Sequence, residues 1–308
     1  MQVLVNGYEV EFNEVEAIAD IASIARQFTL VDVSDEMAFK NGDEVEIYDN
    51  SGVLFIKGAI EYIESNTDNE KSEYIYAGRN NAKFIVDCYA DTTTQFTQNQ
   101  KANTVIANIA TQFGLKVSGD AQLPQQGIKT ILIGEKIIDA LLEIVHSAEK
   151  ILISDALGNL QIEFEATEQG AQILEYGVNI NSRNFIDNTT GNYDKYTIIA
   201  QSNYLVEQSQ NVYVTGSFGS GSFHKVIVVK HTLTAMECEK LAEFEYKKDM
   251  RKSYSYKAKI SDVNLELNKK YLVKDDKVKI DEFMNCKAIR IFHSATESYT
   301  EVTFEKVV

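Results

Sequence analysis

Alternation of apolar and polar positions governs the first part of the chain. Val3 and Val5 alternate, Asn6-Gly7 supplies a two-residue hairpin turn, and Tyr8, Val10 and Phe12 resume the alternation. Val15–Arg26 fits either a helix or a strand, whereas Phe28, Leu30 and the Val31–Val33 run read as a strand. Asp43–Asp49 alternates around Val45 and Ile47, and Asn50-Ser51-Gly52 turns the chain. Val53–Glu64 reads as a long strand with Gly58 as a bulge candidate. Ser65–Lys71 is a polar turn, and Ser72–Ala77 returns with Tyr74 and Tyr76 before Gly78 lets the chain turn away. Several short antiparallel strands in succession suggest a small barrel or sandwich.

The period then changes. Asn81–Tyr89 spaces Phe84, Ile85 and Cys88 as a helix does, and a polar spacer, Gln95–Asn103, follows. A second helix over Thr104–Phe113 groups Val105, Ile106, Ile109, Ala110 and Phe113, with Gly114 able to end it. Thr130–Ile133 reads as a strand. Glu135–Ser147 is the clearest amphipathic helix, carrying Ile137, Ile138, Leu141, Leu142 and Val145 on one side. Lys150–Ile153, the Gly158-Asn159 turn and Leu160–Phe164 complete an α+β unit, in which the first two helices pack on the third.

Strand character resumes near Gln172. Ile173–Tyr176, Tyr193–Gln201, Val212–Thr215 and Lys225–Lys230 are strand candidates. Thr234–Arg251 is a long helix with Thr232 or Thr234 as its N-cap and Leu241, Phe244 and Tyr246 as apolar positions. Tyr254–Ile260, Tyr271–Val278, Lys287–Ser294 and Thr300–Val307 follow as strands. The pattern predicts an α+β chain, mainly antiparallel β. Its units are a β-barrel domain over 1–80, an α+β domain over 81–170, and a second β-barrel domain over 171–308 with a helical insertion at about 232–252.

Composition narrows the function. The chain has 308 residues, 44% of them hydrophobic, with 16 Tyr, 15 Phe, no Trp and a single Pro, Pro124, which suits half-buried sheets and argues against Pro-rich linkers. Cys88, Cys238 and Cys286 stand far apart, which predicts free thiols, and Cys88 reads as a small buried apolar residue. The first residues lack a basic segment followed by a long apolar run, so no signal peptide is expected, and no stretch is apolar enough to insert in a membrane. Without secretion the Asn188-Thr189-Thr190 sequon carries no meaning. A net charge of −16 disfavours stable nucleic-acid binding, which needs basic patches to release phosphate counterions.

Candidate chemistry is thin. Gly216–Gly221 is Gly-rich, but Lys225 comes too late and a strand follows, so it reads as a loop joining two strands rather than a phosphate loop. His224 and His231 fall on opposite faces of one strand, and His146 and Glu149 lack a third ligand; His293 stands alone. Asp275-Asp276 lacks the calcium-loop pattern and reads as a hairpin turn. No nucleophile-elbow motif occurs. No catalytic residue, metal or cofactor is expected.

In order and spacing these features resemble a known family, the baseplate hub proteins of contractile phage tails, specifically the Mu-type gpP-like tail proteins. The matching segments are Asn6-Gly7-Tyr8, the strand from Phe28, Gly42-Asp43-Glu44-Val45, and Val53–Ile63. Tyr76-Ala-Gly-Arg-Asn is the pivotal match, followed by Ile85-Val-Asp-Cys, the Thr104–Leu115 helix, Ile133-Gly-Glu and Asp155-Ala-Leu-Gly-Asn-Leu. Tyr193–Gln201 and the Ala235–Arg251 helix leading into Ser253–Ile260 also fit. The family often has Trp before Tyr271, where this chain has Leu-Asn-Lys-Lys. The resemblance implies a non-enzymatic homotrimeric ring in the virion tail baseplate, assembled in the bacterial host cytoplasm. Each subunit would supply two tube-like barrels, adapting a six-fold tail tube to a three-fold central spike and lining the DNA channel. Implied partners are further copies of the chain, the tail tube and central spike proteins, and other baseplate or tape-measure proteins. Asp43, Glu44 and Glu46 are the candidate acidic residues facing that lumen. A tail-associated peptidoglycan hydrolase and a carbohydrate-binding tail-tip protein are the alternatives.

Overall fold

The computed structural model describes residues 1–68, 71–96, 102–119, 129–166, 168–190, 192–201, 213–261 and 264–307. Pro124, most of the polar spacer (97–101), Val212 and the His231 side chain lie outside the described residues.

The first part of the chain forms β1 (Gln2–Val5), β2 (Tyr8–Glu9), β3 (Glu14–Asp20), β4 (Gln27–Ser34), β5 (Glu44–Tyr48), β6 (Leu54–Thr67) and β7 (Ser72–Asn80). The ambiguous segment after Val15 is a strand because Val15, Ala17 and Ala19 alternate with half-buried residues and face the core. Gly58 is not the bulge; the register between β6 and β7 shifts at Glu61 instead. Nor does the chain turn away at Gly78, since β7 continues to Asn80. A Cβ on Gly78 would stand 2.1 Å from the Ala59 carbonyl oxygen and 2.6 Å from the Phe28 ring. Close backbone approach, rather than turning, is what requires glycine there.

Residues 82–164 hold α1 (Lys83–Asp87), β8 (Thr94–Phe96), α2 (Ala102–Thr111), β9 (Val117–Gly119), β10 (Lys129–Ile131), α3 (Ile137–Ser147), β11 (Lys150–Ser154) and β12 (Leu160–Phe164). Ile85, Ile106, Ile109, Ile138, Leu141, Leu152 and Leu160 share one apolar core, against which Cys88 packs half-buried. Gly114 takes φ +72° just past α2, the left-handed C-terminal position that favours glycine.

The remaining elements are β13 (Gln169–Glu175), β14 (Ile180–Asp187), β15 (Lys195–Gln201), β16 (Tyr213–Gly219), β17 (His224–Thr232), α4 (Ala235–Lys252), β18 (Tyr254–Ile260), β19 (Lys270–Asp275), β20 (Ile280–Ser294) and β21 (Ser298–Lys306). Thr234 caps α4 with a reciprocal capping box to Glu237. The expected helical insertion is larger than its helix: β15, β16 and β17 form a separate sheet on which α4 lies, with Tyr196, Ile198, Cys238 and Leu241 buried between them. Gly216–Gly219 belongs to β16 rather than to a loop. A Cβ on Gly216 would stand 2.2 Å from the Glu239 backbone nitrogen, so glycine lets α4 seat directly on the strand.

Strands from both ends of the chain join in one sheet of thirteen, ordered β14-β18-β21-β20-β3-β4-β7-β6-β5-β1-β2, with β19 and β13 branching from β20. All of its pairs are antiparallel except β13 with β19. One core serves it: Leu30, Ile47, Ile56 and Tyr76 belong to the same cluster as Tyr256, Val273, Val302 and Phe304. Fold class is thus mainly antiparallel β with four helices among the described residues. The closed barrels expected from the sequence are not present within one chain, because the sheet among the described residues runs open from β14 to β2. Instead, one strand order occurs twice: β3-β4-β7-β6-β5-β1 and β14-β18-β21-β20-β19-β13.

Candidate interaction surfaces

β5 alternates, so Val45 and Ile47 enter the core while Glu44 and Glu46 stand on the opposite face. Lys57 on β6 reaches both carboxylates, at 2.8 Å to Glu44 and 2.7 Å to Glu46. Those two hydrogen bonds push the Lys57 ammonium up to about 12, and Lys57 with the Tyr48 hydroxyl holds Glu46 below the usual carboxylate range. Asp43 lies in the preceding turn, where the Lys40 backbone N–H donates to its Oδ2 at 2.9 Å and lowers it likewise. The structure therefore gathers Glu44 and Glu46 around one lysine and sets Asp43 apart from them.

This open face of the large sheet carries further charged rows. Arg79 bridges Glu61 at 2.9 Å and Asp87 at 2.6 Å, and Lys83 meets Glu61 at 3.3 Å, tying the β6–β7 hairpin to α1. Arg290 on β20 bridges Glu16 on β3 at 2.8 Å, Lys257 meets Glu301 at 2.8 Å, and Lys259 meets Glu297 at 3.0 Å. Between the rows runs a groove lined by Ile18, Thr29, Tyr62 and Ala77. Surface pairs of this kind add at most about 1 kcal/mol each, so their consequence is a polar, water-facing sheet surface.

Two buried polar nodes hold the units in place. At the first, Arg26 donates to the Phe55 carbonyl at 2.6 Å and to the Ser154 carbonyl, while Asn80 Nδ2 donates to Ser154 Oγ at 3.2 Å and to the Asp155 carbonyl at 3.0 Å. Burial pushes Arg26 down to about 10 despite Asp155 nearby. These bonds join Arg26, just before β4, and the end of β7 to β6 and to the end of β11 in the 82–164 unit. At the second, Asp275 is fully buried; its Oδ2 accepts from Arg183 Nε at 2.6 Å and from the Tyr256 hydroxyl at 2.8 Å. Burial raises its carboxyl, but those hydrogen bonds outweigh it and hold it below the usual range. Asp275, expected in the hairpin turn, is the last residue of β19, and the turn follows it over residues 276–279.

Among the described residues the histidine side chains do not converge on one site. His146 stacks on Phe244 with centroids 4.2 Å apart, and His224 Nε2 lies 2.7 Å from Thr197 Oγ1. Glu149 pairs with Lys240 at 3.2 Å. Among the described residues no three His, Cys, Asp or Glu side chains group as metal ligands, and no helix is long and apolar enough to cross a membrane. Several large apolar side chains remain exposed, Tyr62 on β6 and Ile186 on β14 among them.

Residues 82–164 match the family described as "Baseplate hub protein gp44-like, second domain". Among solved structures, the chain is similar to the 43 kDa tail protein of prophage MuSo2 from Shewanella oneidensis, with a TM-score of 0.82 at 18% identity, covering 98% of this chain and 97% of that one. A tail protein from Neisseria meningitidis MC58 gives a TM-score of 0.79 at 18% identity, covering 99% and 95%. The E. coli c3393 protein, a component of the type VI secretion system with structural similarity to the T4 bacteriophage tail proteins gp27 and gp5, gives 0.63 at 10% identity, covering 99% and 76%. No curated protein matches the chain. At these identities the solved structures establish that the chain shares the fold of these tail proteins. The family match over 82–164 bears out the baseplate hub resemblance read from the sequence.

Proposed function

We propose that this chain is the structural hub of a contractile phage-tail baseplate, or of a related injection machine, and acts as a homotrimer. Three subunits, each with two tube-like units, present six such units to the six-fold tail tube above and a three-fold platform to the central spike below. The observation that carries this reading is the repeated strand order: two sheet units with one order of strands in a single chain, joined to a domain similar to the hub family. Such a doubled chain needs three copies to match a six-fold ring, and rings of this kind use heterologous contacts. Closure of the tubes, absent from one chain, then belongs to the assembly.

The partners follow as further copies of this chain, the tail tube and spike proteins, and other baseplate or tape-measure proteins. The place of action is the virion tail baseplate, after assembly in the host cytoplasm. Three chains at −16 each bring −48 formal charges, and a lumen edged by Asp43, Glu44 and Glu46 would let DNA pass without adhering. The role is architectural rather than enzymatic, and its polar nodes position units rather than substrates. Mass photometry at micromolar concentration tests the reading: a particle of three chain masses supports it, and a stable monomer overturns it.

A further inference from the structure

The two sheet units agree in the pairing of their central hairpins, while their outermost strands differ, β13 lying parallel to β19 where β1 lies antiparallel to β5. The β6–β7 hairpin shifts register after Ile60 and ends on the Thr67–Ser72 pair; β20–β21 shifts after Cys286 and ends on His293–Ser298. The offset between these positions is constant at 226, and it extends to the strand before: Glu44 pairs with Ala59 as Lys270 pairs with Asn285. Burial matches at the same offset at three central positions, Ile47 with Val273, Ile60 with Cys286 and Tyr76 with Val302. Ser182–Ile186 of β14 likewise stands to β18 as Glu14–Ile18 of β3 stands to β4.

The units differ at one edge. The far half of β20, Ala288–Ser294, is flanked by β21 on one side and β3 on the other. Its counterpart in β6, Tyr62–Thr67, pairs only with β7 among the described residues, because β5 covers β6 no further than Ala59. Conversely, β3 has a neighbour on each edge, while Ser182–Asp187 of β14 pairs only with β18 among the described residues. Each unit therefore lacks what the other would supply, and an open strand edge is a template for pairing.

We propose that β14 of a second copy of this chain docks antiparallel on the free edge of β6, repeating between chains the β20–β3 junction found within one. The inference rests on the trimer reading and assigns its interface. Carrying over the β20–β3 register sets Ile63 opposite Asp187, Glu64 opposite Ile186, Ser65 opposite Phe185 and Asn66 opposite Asn184. No like charges face each other in these pairs. Tyr62, 53% exposed, and Ile186, 48% exposed, fall on one face as diagonal neighbours and would cover each other. The contact is head-to-tail, with junctions alternating within and between chains, so the ring is built from two units per chain.

Paired cysteines in the full-length chain test this. Glu64→Cys with Ile186→Cys, and separately Asn66→Cys with Asn184→Cys, should on mild oxidation give bands of two and three chain masses on a non-reducing gel. Tyr62→Cys with Asn184→Cys, four residues out of register, should give none, as should the unsubstituted chain with its native thiols. An assembled oligomer in which neither in-register pair cross-links, or in which the out-of-register pair links equally well, overturns the strand assignment and leaves the trimer standing. A wild-type chain that is monomeric at micromolar concentration overturns both.

Discussion

Asp275→Ala should be among the most damaging single changes in the second sheet unit. The carboxylate is fully buried and accepts from Arg183 on β14 and the Tyr256 hydroxyl on β18, so one side chain on β19 ties three strands. Removing it orphans a hydroxyl on a tyrosine with no exposed surface, worth about 1–3 kcal/mol. It also strips Arg183, whose side chain is 24% exposed, of its partner. Solvent recovers part of that loss, so the total is about 3 kcal/mol, toward the lower end for a broken buried pair. With a urea slope of about 1–3 kcal/mol per molar, the unfolding midpoint should fall by about 1 M or more. Adding Tyr256→Phe to Asp275→Ala should return part of the loss, since the orphan hydroxyl goes with it. The pH dependence has a fixed sign. Because the folded carboxyl lies below its unfolded value near ~4, the stabilisation is complete above that value and fades as pH falls through the folded value. The gap between wild type and Asp275→Ala should therefore be full at neutral pH and narrow in acid. A midpoint change under about 0.2 M, or a gap that widens on acidification, would refute the reasoning.

Three further outcomes follow from the same geometry. Gly78→Ala forces a Cβ into the Ala59 carbonyl and should cost about 1–3 kcal/mol or more, read as a lowered urea midpoint or loss of soluble protein. Thr234→Ala removes the capping box of α4 and should cost about 1 kcal/mol, seen as faster amide exchange in the first turn of that helix. Burial pushes the Cys238 thiol up to about 11, and Cys286 is also raised by burial, so both should resist a thiol reagent at pH 8 until urea unfolds the chain, while half-buried Cys88 reacts first.

What the sequence made legible was local. Hairpin chemistry at Asn6-Gly7, the apolar stripe of the helix that became α3 and the Thr234 cap were all readable, because each depends on neighbours within a few residues. What it withheld was long-range pairing. β14 escaped notice because Asn181, Ser182 and Asn184 dilute its alternation, as suits a strand exposed along one edge. Gly78 and Gly216 looked like turn and loop residues because close approach by a distant backbone leaves no trace nearby in sequence. The charges of the candidate lumen were visible, but not that Lys57 stands between Glu44 and Glu46. Equally hidden was the agreement of the two sheet units, since Ser72 with Ser298 is one of few matched identities along the shared register. The duplication lives in pairing and burial, which many apolar side chains satisfy equally well.

The central claim is a hub in which three copies close a six-unit ring. Two-dimensional class averages of the purified full-length chain, imaged by electron microscopy, test it most directly. A three-fold ring with six peripheral lobes around a central opening is expected; compact particles without that opening, or rings of any other symmetry, would contradict the hub.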